Sequence, residues 1–250
     1  MDLGLRGRRA LVTGASSGLG LACAQALAAE GASVAIVARS ADRLAAAALT
    51  FGADADLVQI VGDVAEPGRV DAIVAATQAA FGGIDIVIAN AGGPPVGGFA
   101  DIDLALYEPA LRLNLLSTIE MCKATVPAMQ ARRWGRVVAI TSISAREPID
   151  RLILSNTARA GLTAFLKTLA REVAADGVTV NSLQPGLHAT DRLRTVYGDG
   201  LSAAAAEVPT GTIGHPGDFG RLAAFLCSDS ARFVTGSSLP VDGGASRGLQ

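Results

Sequence analysis

Aromatic residues and cysteines are scarce in this chain of 250 residues. Only 4% of the residues are aromatic although half are hydrophobic, so the core has to be built mainly from Ala, Val, Leu and Ile. The three cysteines, Cys23, Cys122 and Cys227, lie far apart without CxxC spacing, which predicts buried free thiols in a reducing compartment. With two histidines and no clustered thiols, we expect no metal site.

Long apolar runs and a strong net charge are also missing. No segment is long and apolar enough to span a bilayer, and the N-terminal MDLGLRGRR leads straight into a strand-like ALVTG without an apolar signal region. A formal net charge of −2 gives no reason to expect nucleic acid or an anionic membrane as a partner. We therefore expect a soluble cytoplasmic protein that acts on a small molecule.

What the chain does contain is a regular alternation of short β-branched runs and longer Ala- and Leu-rich runs. This alternation predicts an α/β fold, a single Rossmann-type, doubly wound domain around a parallel sheet buried on both faces. The one long irregular segment, about 187–215, is rich in Gly, Pro and Thr, and such a segment is usually functional or mobile. The predicted strands are ALVT, SVAIV, LVQIV, IDIVIA, RVVAIT, VTVNSL and SLPVD.

A glycine-rich motif, TGASSGLG, joins the first predicted strand to the first predicted helix. Gly14 allows a tight turn, Gly18 lets the backbone approach a pyrophosphate, and Gly20 allows the helix to pack closely on the strand. The free N–H groups of the helix N-terminus then face the phosphates. The alternative is a turn that only connects strand and helix. The predicted dinucleotide contacts here are Gly14, Ser16, Ser17, Gly18, Leu19 and Gly20.

The residue after the second strand predicts which dinucleotide is bound. An acid at this place would accept hydrogen bonds from the ribose 2′-hydroxyl of NAD, but the sequence has Arg39. A guanidinium favours the 2′-phosphate of NADP, and the hydroxyls of Ser16 and Ser40 could add donors. NADP is therefore predicted over NAD. The alternative is a solvated Arg39 that pairs with Asp42 or Glu66.

Seven motifs follow one another along nearly the whole chain: TGASSGLG, GDV at 62–64, NAG at 90–92, Asn114, ITS at 140–142, PGLHAT at 185–190 and FVTGSSLPVDGG at 233–244. In order and spacing they resemble the classical short-chain dehydrogenase/reductase family, in particular its 3-oxoacyl-carrier-protein reductase type. The resemblance implies a sheet of seven parallel strands, a mobile substrate lid at about 187–215, and a homotetramer or at least a homodimer. It also implies further cofactor contacts at Asp63, Val64, Asn90, Ala91, Gly92, Pro185, Gly186, Leu187 and Thr190.

The resemblance implies a catalytic group of Asn, Ser, Tyr and Lys, and this chain keeps only half of it. Asn114 and Ser142 match, whereas Ser155 and Arg159 stand where the Tyr and Lys would fall. The chain resembles a divergent branch with SN-x-x-R at this place. A serine hydroxyl is a far weaker acid than a phenol, and a guanidinium does not deprotonate in proteins. Arg159 is therefore predicted to hold the nicotinamide ribose without relaying a proton.

The sequence offers other candidate proton donors. His188 lies inside PGLHAT, near the expected nicotinamide, but a lone loop histidine is more often only solvated. Tyr107 precedes the long central helix, and the alternative is a packing tyrosine, while Tyr197 lies in the lid. Asp150 and Arg151 are expected to form a surface pair. His215, before Pro216, is expected to start a helix.

Two functions remain open from the sequence. One is an NADP(H)-dependent oxidoreductase with an altered proton donor that acts on a carbonyl or alcohol, with 3-oxoacyl-like compounds among the candidates. The other is a catalytically impaired dinucleotide-binding protein that serves as a sensor or subunit. Asn114 and Ser142 favour the first function, and the double replacement at 155 and 159 favours the second.

Overall fold

Seven parallel strands form one sheet in the order β3-β2-β1-β4-β5-β6-β7, which confirms the predicted fold class. The computed structural model describes residues 2–249, apart from the side chains of residues 195–197 and 199. All of the predicted strands are found. They are β1 Arg9–Thr13, β2 Ser33–Ala38, β3 Leu57–Val61, β4 Ile86–Ala89, β5 Gly135–Ile140, β6 Val178–Pro185 and β7 Ser238–Val241.

Helices cover both faces of the sheet, as a parallel arrangement with crossover connections requires. The segment around 187–215 is not wholly irregular, since it contains α7 and α8. The helices are α1 Gly18–Ala29, α2 Ala41–Ala48, α3 Arg69–Phe81, α4 Tyr107–Leu111, α5 Ser117–Ala131, α6 Ile153–Val173, α7 Asp191–Tyr197, α8 Leu201–Glu207 and α9 Pro216–Cys227.

The core is split into two apolar clusters by the sheet. One cluster includes residues of α1 and α9, and the other residues of α3, α5 and α6. Helices α1 and α9 approach closely because Gly220 has no side chain, and a Cβ there would lie 2.3 Å from the carbonyl oxygen of Ala22. The three cysteines are free and buried in these clusters, as predicted. Among the described residues, no helix combines the length and the apolar character needed to cross a membrane.

The long helix expected from about Asp103 to Arg132 is interrupted. A 3₁₀ turn at Leu104–Leu106 leads into the short α4, a π-helical turn follows at Arg112–Leu116, and only then does α5 begin. A π-helical turn inserts an extra residue into the helical repeat and so changes the direction of its side chains. Asn114 lies inside this turn and is buried.

The strand order reverses at β1, which pairs with β2 on one side and β4 on the other. The connections after these two strands therefore leave in opposite directions and open a crevice at the carboxyl end of the sheet. Ligands of such sheets bind in this crevice. Most of the predicted site residues lie at or just after the carboxyl ends of β1 to β6, so the topology brings them to one edge, while Asn114, Ser155 and Arg159 lie in helical segments.

Candidate functional site

The glycine motif forms a tight turn between β1 and α1. Gly14 and Gly18 have φ values of 58° and 59°, which glycine adopts without strain. Gly20 is needed for another reason, because a Cβ there would lie 2.4 Å from the carbonyl oxygen of Gly14. The Ser17 side chain does not cap α1. The Ser17 hydroxyl therefore does not occupy the first N–H groups of this helix, and their binding to phosphate stays a prediction.

Asn90 fixes this turn to the end of β4. Its side-chain amide donates to the carbonyl of Gly14 at 3.1 Å. The Thr13 hydroxyl donates to the carbonyl of Asn90 at 2.8 Å and accepts from its N–H at 3.0 Å. Asn90 therefore ties the two sides of the crevice together. Thr13 was not among the predicted site residues, although it ends β1 and is the first residue of the TGASSGLG motif.

Two arginines, Arg39 and Arg43, lie beyond the end of β2, where the sequence predicted one. Arg39 is exposed, and its guanidinium lies 3.9 Å from the carboxylate of Asp63. Arg43, which was not among the predicted site residues, donates to the hydroxyl of Ser17 at 3.0 Å and so reaches from α2 to the glycine motif. The available signal was its position, one helical turn beyond Arg39. Together the two guanidiniums give this end of the crevice a positive charge.

A cleft of about 320 Å³ lies beside Arg39 and is lined by Val61, Gly62, Asp63, Glu66 and Arg69. The alternative pairing of Arg39 with Asp42 or Glu66 is wrong, because Glu66 pairs with Arg69 at 2.9 Å and Asp63 is the nearest acid to Arg39.

Three further candidates near this cleft have local structural roles. Asp63 accepts from the N–H of Ala65 at 2.9 Å in a local turn, and Val64 is buried. The Ser40 hydroxyl caps α2 by accepting from the N–H of Arg43.

Arg159 lies at the carboxyl ends of β4 and β5. Its Nη1 donates to the carbonyl of Ile140 at 2.8 Å, and its Nη2 lies 3.5 Å from the carbonyl of Ala91. Only 7% of the residue is exposed, Nε has no partner, and no carboxylate among the described residues pairs with it. Burial lowers the pKa of Arg159 to about 10, which still leaves the guanidinium protonated at neutral pH.

The other three candidate catalytic residues surround the same edge of the sheet. Asn114 donates to the carbonyl of Gly92 at 2.9 Å, and its buried Oδ1 is left without a partner. Ser142 follows β5, and its hydroxyl accepts from the N–H of Ser144. Ser155 is half-buried in the first turn of α6, one helical turn before Arg159.

The segment Pro185–Thr190 leaves β6 beside the glycine motif. Gly186 is packed tightly, since a Cβ there would lie 2.7 Å from the Cβ of Asp242. Thr190 caps α7 and places its methyl group over Gly18, at 3.4 Å from where a Cβ of that glycine would be. Leu187 accepts from the N–H of Gly214, which closes the base of the loop that carries α7 and α8.

His188 is not solvated, so this reading of the sequence is wrong. Its ring is 5% exposed, packs edge-on against Phe219 and covers Gly214. Burial lowers the pKa of His188 below its ordinary value, despite a hydrogen bond with Gly186 and the charges of Asp218 and Asp242. A ring held in this way supports the loop more readily than it transfers protons.

Arg151 pairs with Asp101 at 3.3 Å, so its expected pairing with Asp150 is wrong. Tyr107 is half-buried at the start of α4, and the side chain of Tyr197 lies outside the described residues. His215 starts α9, as predicted, by accepting from the N–H of Gly217.

Comparison with known sequences agrees with this geometry. Residues 14–246 match the sequence model of a family described as enoyl-(acyl carrier protein) reductase. The chain is 35% identical to the 3-oxoacyl-[acyl-carrier-protein] reductase FabG of Escherichia coli over 242 residues, which are 97% of this chain and 98% of the relative.

Solved structures of similar proteins superpose over almost the whole chain. L-sorbose reductase from Gluconobacter frateurii, complexed with NADPH and L-sorbose, has a TM-score of 0.92 at 34% identity and full coverage of both chains. A 3-oxoacyl (acyl-carrier-protein) reductase from Agrobacterium tumefaciens with NADP bound has a TM-score of 0.92 at 32% identity, covering 97% of this chain and 96% of the other.

The contact at Gly20 gives the first testable prediction. Gly20→Ala should displace the carbonyl of Gly14 and distort the phosphate turn, because the added methyl meets main-chain atoms that cannot rotate away. We expect a loss of dinucleotide affinity of at least about tenfold and a lower free energy of unfolding by roughly 1–3 kcal/mol. Calorimetric titration and urea unfolding measure the two effects.

Gly52→Ala is the matched control, because an added Cβ there meets nothing within 4 Å. Unchanged dinucleotide binding by Gly20→Ala would contradict this account of the turn.

Proposed function

Since the chain belongs to the short-chain dehydrogenase/reductase family of oxidoreductases, we propose that it uses NADP(H) to interconvert a carbonyl and an alcohol, with 3-oxoacyl-like compounds among the candidate substrates. One observation carries the proposal. Arg159 and Asn114 bind the successive main-chain carbonyls of Ala91 and Gly92, at the edge of the crevice where Ser142 also lies. This grouping of polar side chains at one place supports a hydride-transfer site, in which Ser155 and Arg159 would stand where the resemblance implies Tyr and Lys.

The residues present fit a bound dinucleotide. Gly92 faces open space, and the buried Nε of Arg159 and Oδ1 of Asn114 have no partners in the described protein. Buried polar atoms are rarely left unpaired, so both atoms favour a ligand or ordered water beside them. NADPH, when bound, would supply a hydride. The N-terminus of α1 would hold its pyrophosphate, and Arg39 and Arg43 would bind its 2′-phosphate.

Within this site, each side chain would have a distinct role. Arg159 would hold the ribose hydroxyls beside the nicotinamide and keep a fixed positive charge near the carbonyl carbon. Ser142 would donate a hydrogen bond to the substrate oxygen, and Asn114 would position water through its free Oδ1. Ser155 has no neighbouring base among the described residues, so we propose that water delivers the proton more slowly than a phenol would.

The second candidate, a dinucleotide-binding protein with little hydride transfer, is favoured by one observation. Arg159 is locked between two main-chain carbonyls and remains protonated at neutral pH, so it cannot pass a proton between Ser155 and solvent. The two candidates differ in turnover but not in dinucleotide binding.

We also propose that α7 and α8 form a lid that opens to admit ligands.

We further propose that the chain assembles as a homotetramer or homodimer. Exposed apolar side chains support this assembly: Phe99 and Leu104 lie before α4, Phe225 lies on α9 and Leu239 lies on β7. Light scattering at micromolar concentration should then give at least twice the mass of one chain. A monomer would contradict the assembly.

Cofactor preference tests the role of the two arginines after β2. We expect NADPH to bind more tightly than NADH, and Arg39→Ala and Arg43→Ala each to weaken NADPH binding by about 1.5–3 kcal/mol, because a charge-assisted contact is lost. NADH binding should change little. Titration of both nucleotides against each variant measures this difference.

Arg171→Ala serves as the control, since this exposed arginine lies near the end of α6. Equal affinities of the wild-type protein for NADPH and NADH would contradict the proposed preference.

The replacements at 155 and 159 give a second test of the proposed function. General acid catalysis contributes about 10²–10⁴-fold, so Ser155→Tyr combined with Arg159→Lys should raise the rate of carbonyl reduction within this range. Arg159→Ala should weaken NADPH binding whether or not the protein turns over. Steady-state kinetics with a panel of carbonyl compounds, together with nucleotide titration, separates rate from affinity.

Ser155→Ala is the matched control and should leave the wild-type rate almost unchanged. If this substitution abolishes a robust activity, Ser155 is itself the catalytic acid and the proposed role of water is wrong.

A further inference from the structure

Arg192, in the first turn of α7, reaches across the crevice to the segment that follows β4. Its Nη2 donates to the carbonyl of Pro94 at 3.3 Å. A Cβ at Gly93 would lie 3.0 Å from Nη2 and 3.4 Å from Cζ, so the guanidinium fits against this backbone because Gly93 has no side chain. The contact joins residues 98 positions apart and spans the mouth of the crevice.

Arg192 forms no ion pair with any described carboxylate. The neighbouring Arg194 differs in this respect, because it pairs with Asp191 at 3.6 Å. A guanidinium carries five N–H donors in a planar fork that matches a carboxylate. The single bond to Pro94 leaves most of these donors available to a ligand.

A second arginine, Arg159 of α6, has no carboxylate partner among the described residues and contacts the same short segment. Arg159 contacts the carbonyl of Ala91, and Arg192 contacts that of Pro94. Three residues span at most about 10 Å when extended, so the two carbonyls that the arginines contact lie no farther apart than this. Arg159 is buried at the floor of the crevice, and Arg192 is exposed at its mouth.

Neither arginine is neutralised by a direct ion pair among the described residues. Of the nearby acids, Asp101 pairs with Arg151, and Glu147 accepts from the N–H groups of Arg247 and Gly248. Asp150 is exposed and forms no ion pair among the described residues. The guanidiniums of Arg159 and Arg192 therefore keep donors that suit a carboxylate ligand.

Arg192 contacts the segment that follows β4, whereas Arg39 and Arg43 follow β2. The Gly93–Pro94 segment instead continues to Gly97, which pairs with Leu152 beside the start of α6, the helix that carries Ser155. Arg192 thus closes the side of the crevice on which a substrate would lie.

We propose that Arg192 binds the carboxylate of an oxo-acid or hydroxy-acid substrate and selects acids over neutral carbonyl compounds. This inference rests on the proposed function, because it assigns a substrate class to the same site. Arg192 acts as a specificity residue whose guanidinium grips the end of the substrate remote from the reacting carbon. Its bond to Pro94 places the fork before the substrate arrives, which lowers the ordering cost of binding.

The test compares acids with their own methyl esters, so that only the charge differs. Pyruvate, acetoacetate and 4-oxopentanoate, each with its ester, are titrated by calorimetry into the protein saturated with NADP⁺, which cannot donate a hydride. We expect at least one acid to bind about tenfold to a hundredfold more tightly than its ester. Arg192→Gln should remove this preference, and Arg192→Lys should retain part of it because the charge remains.

Arg194→Gln is the matched control, since it removes a neighbouring exposed arginine of the same helix. The inference is overturned if no acid is preferred over its ester, if Arg194→Gln has the same effect, or if Arg192→Gln weakens NADP⁺ binding and acid binding equally. The last result would assign Arg192 to the cofactor.

The outcome is separable from that of the proposed function because binding is measured without turnover. If the protein binds no dinucleotide, the same titrations are made on the free protein, and the acid preference stands or fails there. An acid preference in a protein that reduces none of the bound acids with NADPH would support the role of Arg192 and favour the second candidate, a dinucleotide-binding protein with little hydride transfer.

Discussion

The close approach of Gly14, Gly20 and Asn90 is the constraint on which the rest of the site depends. A methyl group at Gly20 would lie 2.4 Å from the Gly14 carbonyl oxygen and 2.6 Å from the Asn90 amide. The same carbonyl accepts the hydrogen bond of that amide. This packing sets α1 against β1 and holds the segment after β4 in place. Both walls of the crevice therefore take their position from three residues at the point where the strand order reverses.

From this fixed point, the segment 91–94 runs along the crevice as a row of carbonyl acceptors. Arg159, Asn114 and Arg192 contact the carbonyls of Ala91, Gly92 and Pro94, and they come from α6, the π-helical turn and α7. A short stretch of backbone thus organises side chains from three distant elements. Because two of these side chains are arginines without acidic partners among the described residues, the same stretch also determines the charge of the crevice.

Ser155 and Arg159 stand where the family resemblance implies a tyrosine and a lysine. The guanidinium of Arg159 is held by two carbonyl contacts and stays protonated at neutral pH. Under the proposed function, Arg159 would therefore position ligands without transferring a proton.

The sequence by itself determined the fold class, the strands, the phosphate turn and the replacements at Ser155 and Arg159. These features follow from local periodicity, from the conformational freedom of glycine and from the residue types at particular positions. The π-helical turn around Asn114, which interrupts the expected long helix, could not be predicted from the sequence, because it depends on the packing around it rather than on a local pattern.

Only the tertiary structure decided which side chains meet across the crevice. Arg43 reaches Ser17, Arg151 pairs with Asp101 rather than Asp150, and Arg192 contacts Pro94. Each contact joins segments that are distant in sequence, so no periodicity or motif records it. Their physical cause is the packing of helices on a sheet whose strand order reverses, which brings separate loops to a common edge.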